Sequence, residues 1–204
     1  MHEHLTTTGV NITDLFNELS DNGVVAVNIL NESFRQSLLA EAQGYTYEPL
    51  PEVVGSGENI VRQQMGRFID FLPESRFLLL KNSFRAWLVE QLKNLEDYPF
   101  EIPVDFNALE LAKYEVGSLG ITPHRDGFKY KNLICIFMIA GRGRFYVCSD
   151  RAGNDAREID ASPGHVILMK APGFMGKKER PFHYVTGIQE TRYIFGLRQS
   201  VPRR

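Results

Sequence analysis

The chain has 204 residues, 43% hydrophobic and 24% charged, with a net charge of −2. That is the ordinary range for one folded domain able to bury a core without disulfides. No apolar run approaches the roughly eighteen residues of a membrane span, and the start, Met1-His2-Glu3-His4, lacks the basic end and apolar middle of a signal peptide, so a cytoplasmic protein is expected.

Charge is unevenly spread. Residues 1–100 hold seven basic and fourteen acidic side chains, residues 101–204 sixteen and eleven. A basic lean confined to the second half suits a small anionic substrate, a nucleic acid, or nothing beyond solubility.

Thr13 reads as an N-cap for an amphipathic helix with Leu15, Phe16 and Leu19 inward, ended by Asn22-Gly23. A strand over residues 24–30 and a helix from Asn31 to before Gly44 follow, the latter with Phe34, Leu38 and Leu39 facing inward. Residues 44–59 break the pattern with Tyr45, Tyr47, Pro49, Pro51 and Gly55-Ser56-Gly57. This reads as a lid or recognition loop in which Tyr45 or Tyr47 touches substrate, with ordinary loop aromatics packed on the surface as the favoured reading for either residue alone. Residues 60–71 could form a strand carrying Arg62 and Arg67. Residues 73–95 hold one broken or two consecutive helices, with Asn82-Ser83 as an internal cap and Trp87 in the core. Residues 97–103 form a connection.

After Pro103 the period changes to that of strands, over residues 109–114, 133–140, 144–148, 166–169 and 192–197. Short strands between Gly, Pro and Asp turns predict a sandwich or jelly roll, and Gly141-Arg142-Gly143 is a hairpin turn. Cys135 and Cys148 lie in apolar strand-like runs without Cys-x-x-Cys spacing, so they read as buried reduced thiols.

The chemistry gathers around Pro123-His124-Arg125-Asp126-Gly127. On a strand entering a turn, residues i and i+2 point the same way, so His124 and Asp126 can meet one ion. His183 is the candidate third ligand, and two histidines with one carboxylate form the triad of non-haem Fe(II) oxygenases. His165, after Pro163-Gly164, is the rival. Arg192 follows within Thr191-Arg192-Tyr193-Ile194-Phe195, and burying it is costly unless an anion meets it. Its rigid fork of donors fits a carboxylate.

This ordered set resembles the Fe(II)/2-oxoglutarate-dependent dioxygenases over roughly residues 104–200. Lys113-Tyr114-Glu115-Val116-Gly117 before the His-X-Asp motif is similar to prolyl-hydroxylase-like enzymes. Arg192-Tyr193-Ile194-Phe195-Gly196-Leu197-Arg198-Gln199 looks like the closing strand of AlkB-type demethylases, although Ala112 stands where that branch has Asn.

The resemblance implies a mainly β double-stranded β-helix (jelly roll) with N-terminal helices outside. A helical, lid-like part at 1–103 and a catalytic core at 104–204 would form one domain. It implies Fe(II) held by His124, Asp126 and His183, with 2-oxoglutarate and O2 as co-substrates and ascorbate as an optional stimulant. Arg192 would anchor the far carboxylate of 2-oxoglutarate, with Tyr114 and Arg198 as further contacts. The expected reaction hydroxylates a C–H bond of a small molecule or amino-acid residue, releasing succinate and carbon dioxide. Oxidative demethylation of alkylated nucleic acid stays open without being favoured. A non-catalytic cupin-like metal binder is the remaining reading, though cupins favour His-X-His.

Overall fold

The computed structural model describes residues 4–202. Three helices, α1 (Ile12–Asn22), α2 (Glu32–Gln43) and α3 (Arg76–Leu92), accompany thirteen strands. In the first half these are β1 (Val24–Asn28), β2 (Glu48–Pro49), β3 (Val53–Val54), β4 (Val61–Arg62) and β5 (Gly66–Phe68). The second half holds β6 (Ala108–Tyr114), β7 (Ile121–His124), β8 (Tyr130–Ala140), β9 (Arg144–Cys148), β10 (Arg157–Ile159), β11 (His165–Lys170), β12 (Phe182–Thr186) and β13 (Arg192–Ser200).

Seven strands form one sheet in the order β1-β11-β8-β13-β6-β5-β2, and four form a second in the order β10-β9-β12-β7. Two facing antiparallel sheets make the predicted jelly roll. The larger sheet is apolar on both faces, which explains the unbroken hydrophobic run of β8. Leu133, Cys135, Phe137 and Ile139 point one way, into a core shared with Leu19, Leu38, Phe77, Leu80, Phe84 and Trp87 of the helices. Ile134, Ile136 and Met138 point the other way, toward Phe145, Val147, Ile159 and Val185 of the smaller sheet. The helices therefore cover the outside of the larger sheet, and the space between the sheets is left for a site.

Several local expectations are corrected. The cap of α1 is Asn11, whose side chain accepts from the backbone of Thr13 and Asp14. It takes the place expected of Thr13 because its carbonyl reaches both orphan amides. Strand β1 ends at Asn28. Helix α3 is continuous and capped by Ser75, so Asn82-Ser83 lies inside it. Residues 60–71 hold two short strands rather than one, and β1, β2 and β5 of the first half are members of the larger sheet. Cys135 is buried as expected, while Cys148 is half-buried, and both are free. Among the described residues, no helix is long and apolar enough to cross a membrane.

Candidate metal centre

Strands β7 and β12 pair antiparallel with His124 directly opposite His183. The two rings sit 4.3 Å apart, centroid to centroid. The turn into β7 makes this possible. Gly120 has φ +80, and a Cβ there would stand 2.1 Å from the Val185 carbonyl oxygen, so only glycine lets the chain press this closely onto β12. Asp126 follows in the turn after β7. Ligand atoms of His124, Asp126 and His183 all lie within 4.8 Å of one another, a group that could hold a metal ion.

The protein sets the donor atoms of this group. The Nδ1 of His124 lies 2.9 Å from the Thr122 carbonyl oxygen, and that of His183 lies 3.3 Å from the carbonyl of Pro181. Each Nδ1–H donates to its carbonyl, which leaves the Nε2 lone pairs facing the group. Burial pushes His183 down to about 3, helped by the neighbouring His124. It lowers His124 as well, against the pull of Asp126. Both imidazoles are therefore neutral, as metal ligation demands. Phe145 lies flat against His183, 5.6 Å between centroids, and fixes its plane.

Asp126 is held on one side only. Arg198 Nε donates to Oδ1 at 3.1 Å, whereas Oδ2 is buried with no hydrogen-bond partner and faces His183 Nε2 at 3.5 Å. Burial alone would raise the Asp126 carboxyl, but the charge and the hydrogen bond of Arg198 outweigh it and keep it ionised. A buried carboxylate oxygen without a donor is expensive, and a cation between it and the two Nε2 atoms resolves the cost.

Arg192 poses the same question with the opposite sign. It is 1% exposed, opposite Tyr114 on β6 and 5.7 Å from the centre of that ring. One terminal nitrogen contacts Met138 Sδ at 3.0 Å, while Nε and Nη1 have no partner. Burial lowers its affinity for the proton, but a guanidinium stays charged, and no acidic side chain pairs with it among the described residues. Tyr114 is buried beside it, its phenol pushed up to about 12 by burial. These unmet donors fit a carboxylate-bearing ligand.

A cavity of about 330 Å³ opens above the group. Its floor includes His124, Asp126, His183, Tyr114 and Arg198, and its walls include Leu50, Val61 and Met65 from the loop region. Arg192, Ile194 and Arg198 alternate along the inward face of β13, as their even spacing predicted. Arg198 leans over Gly196, where a Cβ would stand 2.9 Å from Nη1, and so reaches Asp126.

The remaining candidates fall elsewhere. Tyr45 stacks on Phe68 at 3.9 Å and donates to Glu41. Tyr47 donates to the Ala42 carbonyl. Neither lines the cavity; both line a neighbouring hollow of about 520 Å³ that shares Leu50 and Met65 with it. Arg67 pairs with Glu48. His165 pairs with Asp160 at 3.4 Å and is not part of the group. Sequence reasoning missed Leu50, Val61 and Met65 as cavity walls. Their only local signal was an irregular loop near a predicted lid.

No family model and no curated sequence matches the chain. Solved structures do match it. A prolyl-4-hydroxylase from Pseudomonas putida superposes with a TM-score of 0.67 at 12% identity, covering 93% of this chain and all of that one. A Trichoplax adhaerens prolyl hydroxylase, solved with a peptide fragment of hypoxia inducible factor, gives 0.66 at 16% identity over 91% and 86% of the two chains. A 2OG-Fe(II) oxygenase family oxidoreductase from Burkholderia pseudomallei gives 0.64 at 14% over 95% and 91%. The chain shares the fold of the 2-oxoglutarate/Fe(II) oxygenases, which is what likeness at such identities establishes.

Proposed function

We propose that the protein is an Fe(II)- and 2-oxoglutarate-dependent oxygenase. His124, Asp126 and His183 would hold the iron, and Arg192 would hold the far carboxylate of 2-oxoglutarate beside the Tyr114 hydroxyl. The observation that carries this is the pair of unmet buried charges: Asp126 Oδ2 without a donor, and Arg192 Nε and Nη1 without an acceptor. A divalent cation and a dicarboxylate answer both, and two histidines with one carboxylate leave positions open on iron for co-substrate and dioxygen.

When bound, iron with the keto acid supplies an oxidant for a substrate C–H bond, with succinate and carbon dioxide released. The chain's own part is placement. Backbone carbonyls of Thr122 and Pro181 fix the two tautomers, and Arg198 holds Oδ1 so that Oδ2 faces the metal position. Leu50, Val61 and Met65 make an apolar wall that keeps water from the site. The expected substrate is a small molecule or an amino-acid residue of a peptide.

Two arginines six apart on the inward side of β13, Arg198 lining the cavity and Arg192 buried beside Tyr114, also favour the AlkB-like reading, demethylation of nucleic acid. Ala112, buried at 1% exposure, has no amide with which to grip the keto acid in that branch's manner, and so weighs against it.

The test is anaerobic addition of Fe(II) and 2-oxoglutarate, which should produce the weak visible charge-transfer band of a chelated keto acid. The variants His124→Ala and His183→Ala should lose it. Succinate production at the normal rate by His183→Ala would refute the assignment. Demethylation would be dropped if a labelled DNA or RNA shows no salt-sensitive binding.

A further inference from the structure

Four cations lie at or near the cavity, and none forms a salt bridge with an acidic side chain among the described residues: Arg125 lines the cavity, Lys129 and Arg180 line the groove beside it, and Arg151 shares the Phe182 ring with Arg125. Elsewhere acids are well used, as in Arg67 with Glu48, Lys113 with Glu115 and Lys170 with Glu179. The groove of about 1210 Å³ that adjoins the cavity at Gly127 is lined by Phe128, Lys129, Lys131 and Arg180. Its one acid, Glu101, is already engaged by Lys131 at 3.3 Å. Arg125 and Arg180 are near enough to repel each other, with Asp126 drawing Arg180 the other way. Such a cluster raises the energy of the free protein and lowers that of a complex with an anion.

The arginines are also held in place. The Arg125 guanidinium lies 3.9 Å from the centre of the Phe182 ring, with Arg151 5.6 Å from the same ring. Arg180 lies 3.4 Å over Phe128 and donates to the backbone oxygen of Asp126. Stacking on a ring leaves the edge of a guanidinium free to donate and has already restricted its rotamers, so an arriving anion meets a partly organised fork. Phe128 is 62% exposed, so the stacked pair faces the groove.

We infer that the substrate carries an anionic group, a carboxylate or a phosphate, which Arg125 grips at the cavity mouth with Arg180 and Lys129 beside it. Its uncharged part enters between Leu50, Val61 and Met65. The inference rests on reading the cavity as the catalytic one.

The experiment uses the protein loaded anaerobically with Fe(II) and 2-oxoglutarate, and fluorescein-labelled tetrapeptides as probes. These are four aspartates, four phosphoserines, and four asparagines as the neutral control. Anisotropy should show at least one anionic probe binding about tenfold or more tighter than the control, and the tighter of the two names the source. Arg125→Gln should lose about tenfold of that affinity and Arg125→Lys should recover part of it, since a close charge pair across an interface is worth about one tenfold step or more. Equal binding of charged and neutral probes overturns the inference. So does a loss that follows Lys177→Gln with Lys178→Gln rather than Arg125→Gln. If the charge-transfer band never forms in the unaltered protein, the metal reading fails, while the same titrations still judge the rim.

Discussion

Replacing Arg192 by methionine should make the ligand-free protein more stable and the 2-oxoglutarate complex far weaker. Two guanidinium nitrogens are buried without partners, and each unmet buried donor costs about 1–3 kcal/mol. Methionine fills much of the same length beside Met138 and Tyr114 and carries no charge. Allowing for imperfect packing, the gain is about 2 kcal/mol. In a chain of this size that is about 4–8 °C of melting temperature. With 2-oxoglutarate the sign reverses. A dicarboxylate placed against methionine leaves one carboxylate buried and unpaired, a loss of about 3–5 kcal/mol, or roughly 10²- to 10⁴-fold in affinity. The assay is a melt of the metal-free protein, paired with an anaerobic 2-oxoglutarate titration in Fe(II) followed by the visible band. A variant that melts no higher than the parent and binds 2-oxoglutarate equally well would refute the idea that Arg192 awaits an anion.

Three further predictions follow from named contacts. Gly196→Ala should leave the fold intact, because its Cβ would crowd the flexible end of Arg198 at 2.9 Å and meet the Glu110 carbonyl oxygen at an ordinary 3.7 Å. Arg198 would nonetheless be pushed off Asp126, and metal affinity measured by titration should fall about 10- to 100-fold, as when an outer partner of a ligand is lost. His183→Ala should abolish iron retention while preserving the far-ultraviolet spectrum, since the β12 backbone pairing does not depend on the ring. Glu41 accepts from Ser75, Tyr45 and the Arg76 amide. Burial alone would raise its carboxyl, yet these bonds prevail and hold it below the usual 4.5. Its contribution is therefore present above about pH 4.5 and is lost as pH falls through the lowered value. Glu41→Gln should cost about 1.5–3 kcal/mol at neutral pH, with the gap to the parent closing in acid denaturation curves well below pH 4.5.

What could be read in advance divides along physical lines. His124 and Asp126 were legible because a strand's two-residue period is local, and Arg192 because charge among Tyr193, Ile194 and Phe195 must find an anion. The bond from Arg198 to Asp126 was not. It depends on the register of β13 and on the turn after β7, two features 72 positions apart in sequence. Tyr45 looked like a lid residue because nothing adjacent in sequence covers it, whereas its ring partner Phe68 arrives only when β5 joins the edge of β6. Strand β10 is three residues long, too short for its alternation to register.

The N-terminal half, which shows no chemistry of its own, nevertheless bears on the site through β13. Phe195 on the outer face of that strand packs 4.9 Å from Phe77 of α3 and 5.5 Å from Phe71, and Phe84 meets Phe137 of the neighbouring strand at 5.0 Å. Side chains alternate along a strand, so anchoring Tyr193, Phe195 and Leu197 against the helices commits Arg192, Ile194 and Arg198 to the inner face of the sheet. A one-residue slip would send both arginines into the apolar helical core, where neither Asp126 nor a ligand could meet them. The aromatic packing under α3 thus holds the register on which the charge arrangement of the candidate metal centre depends.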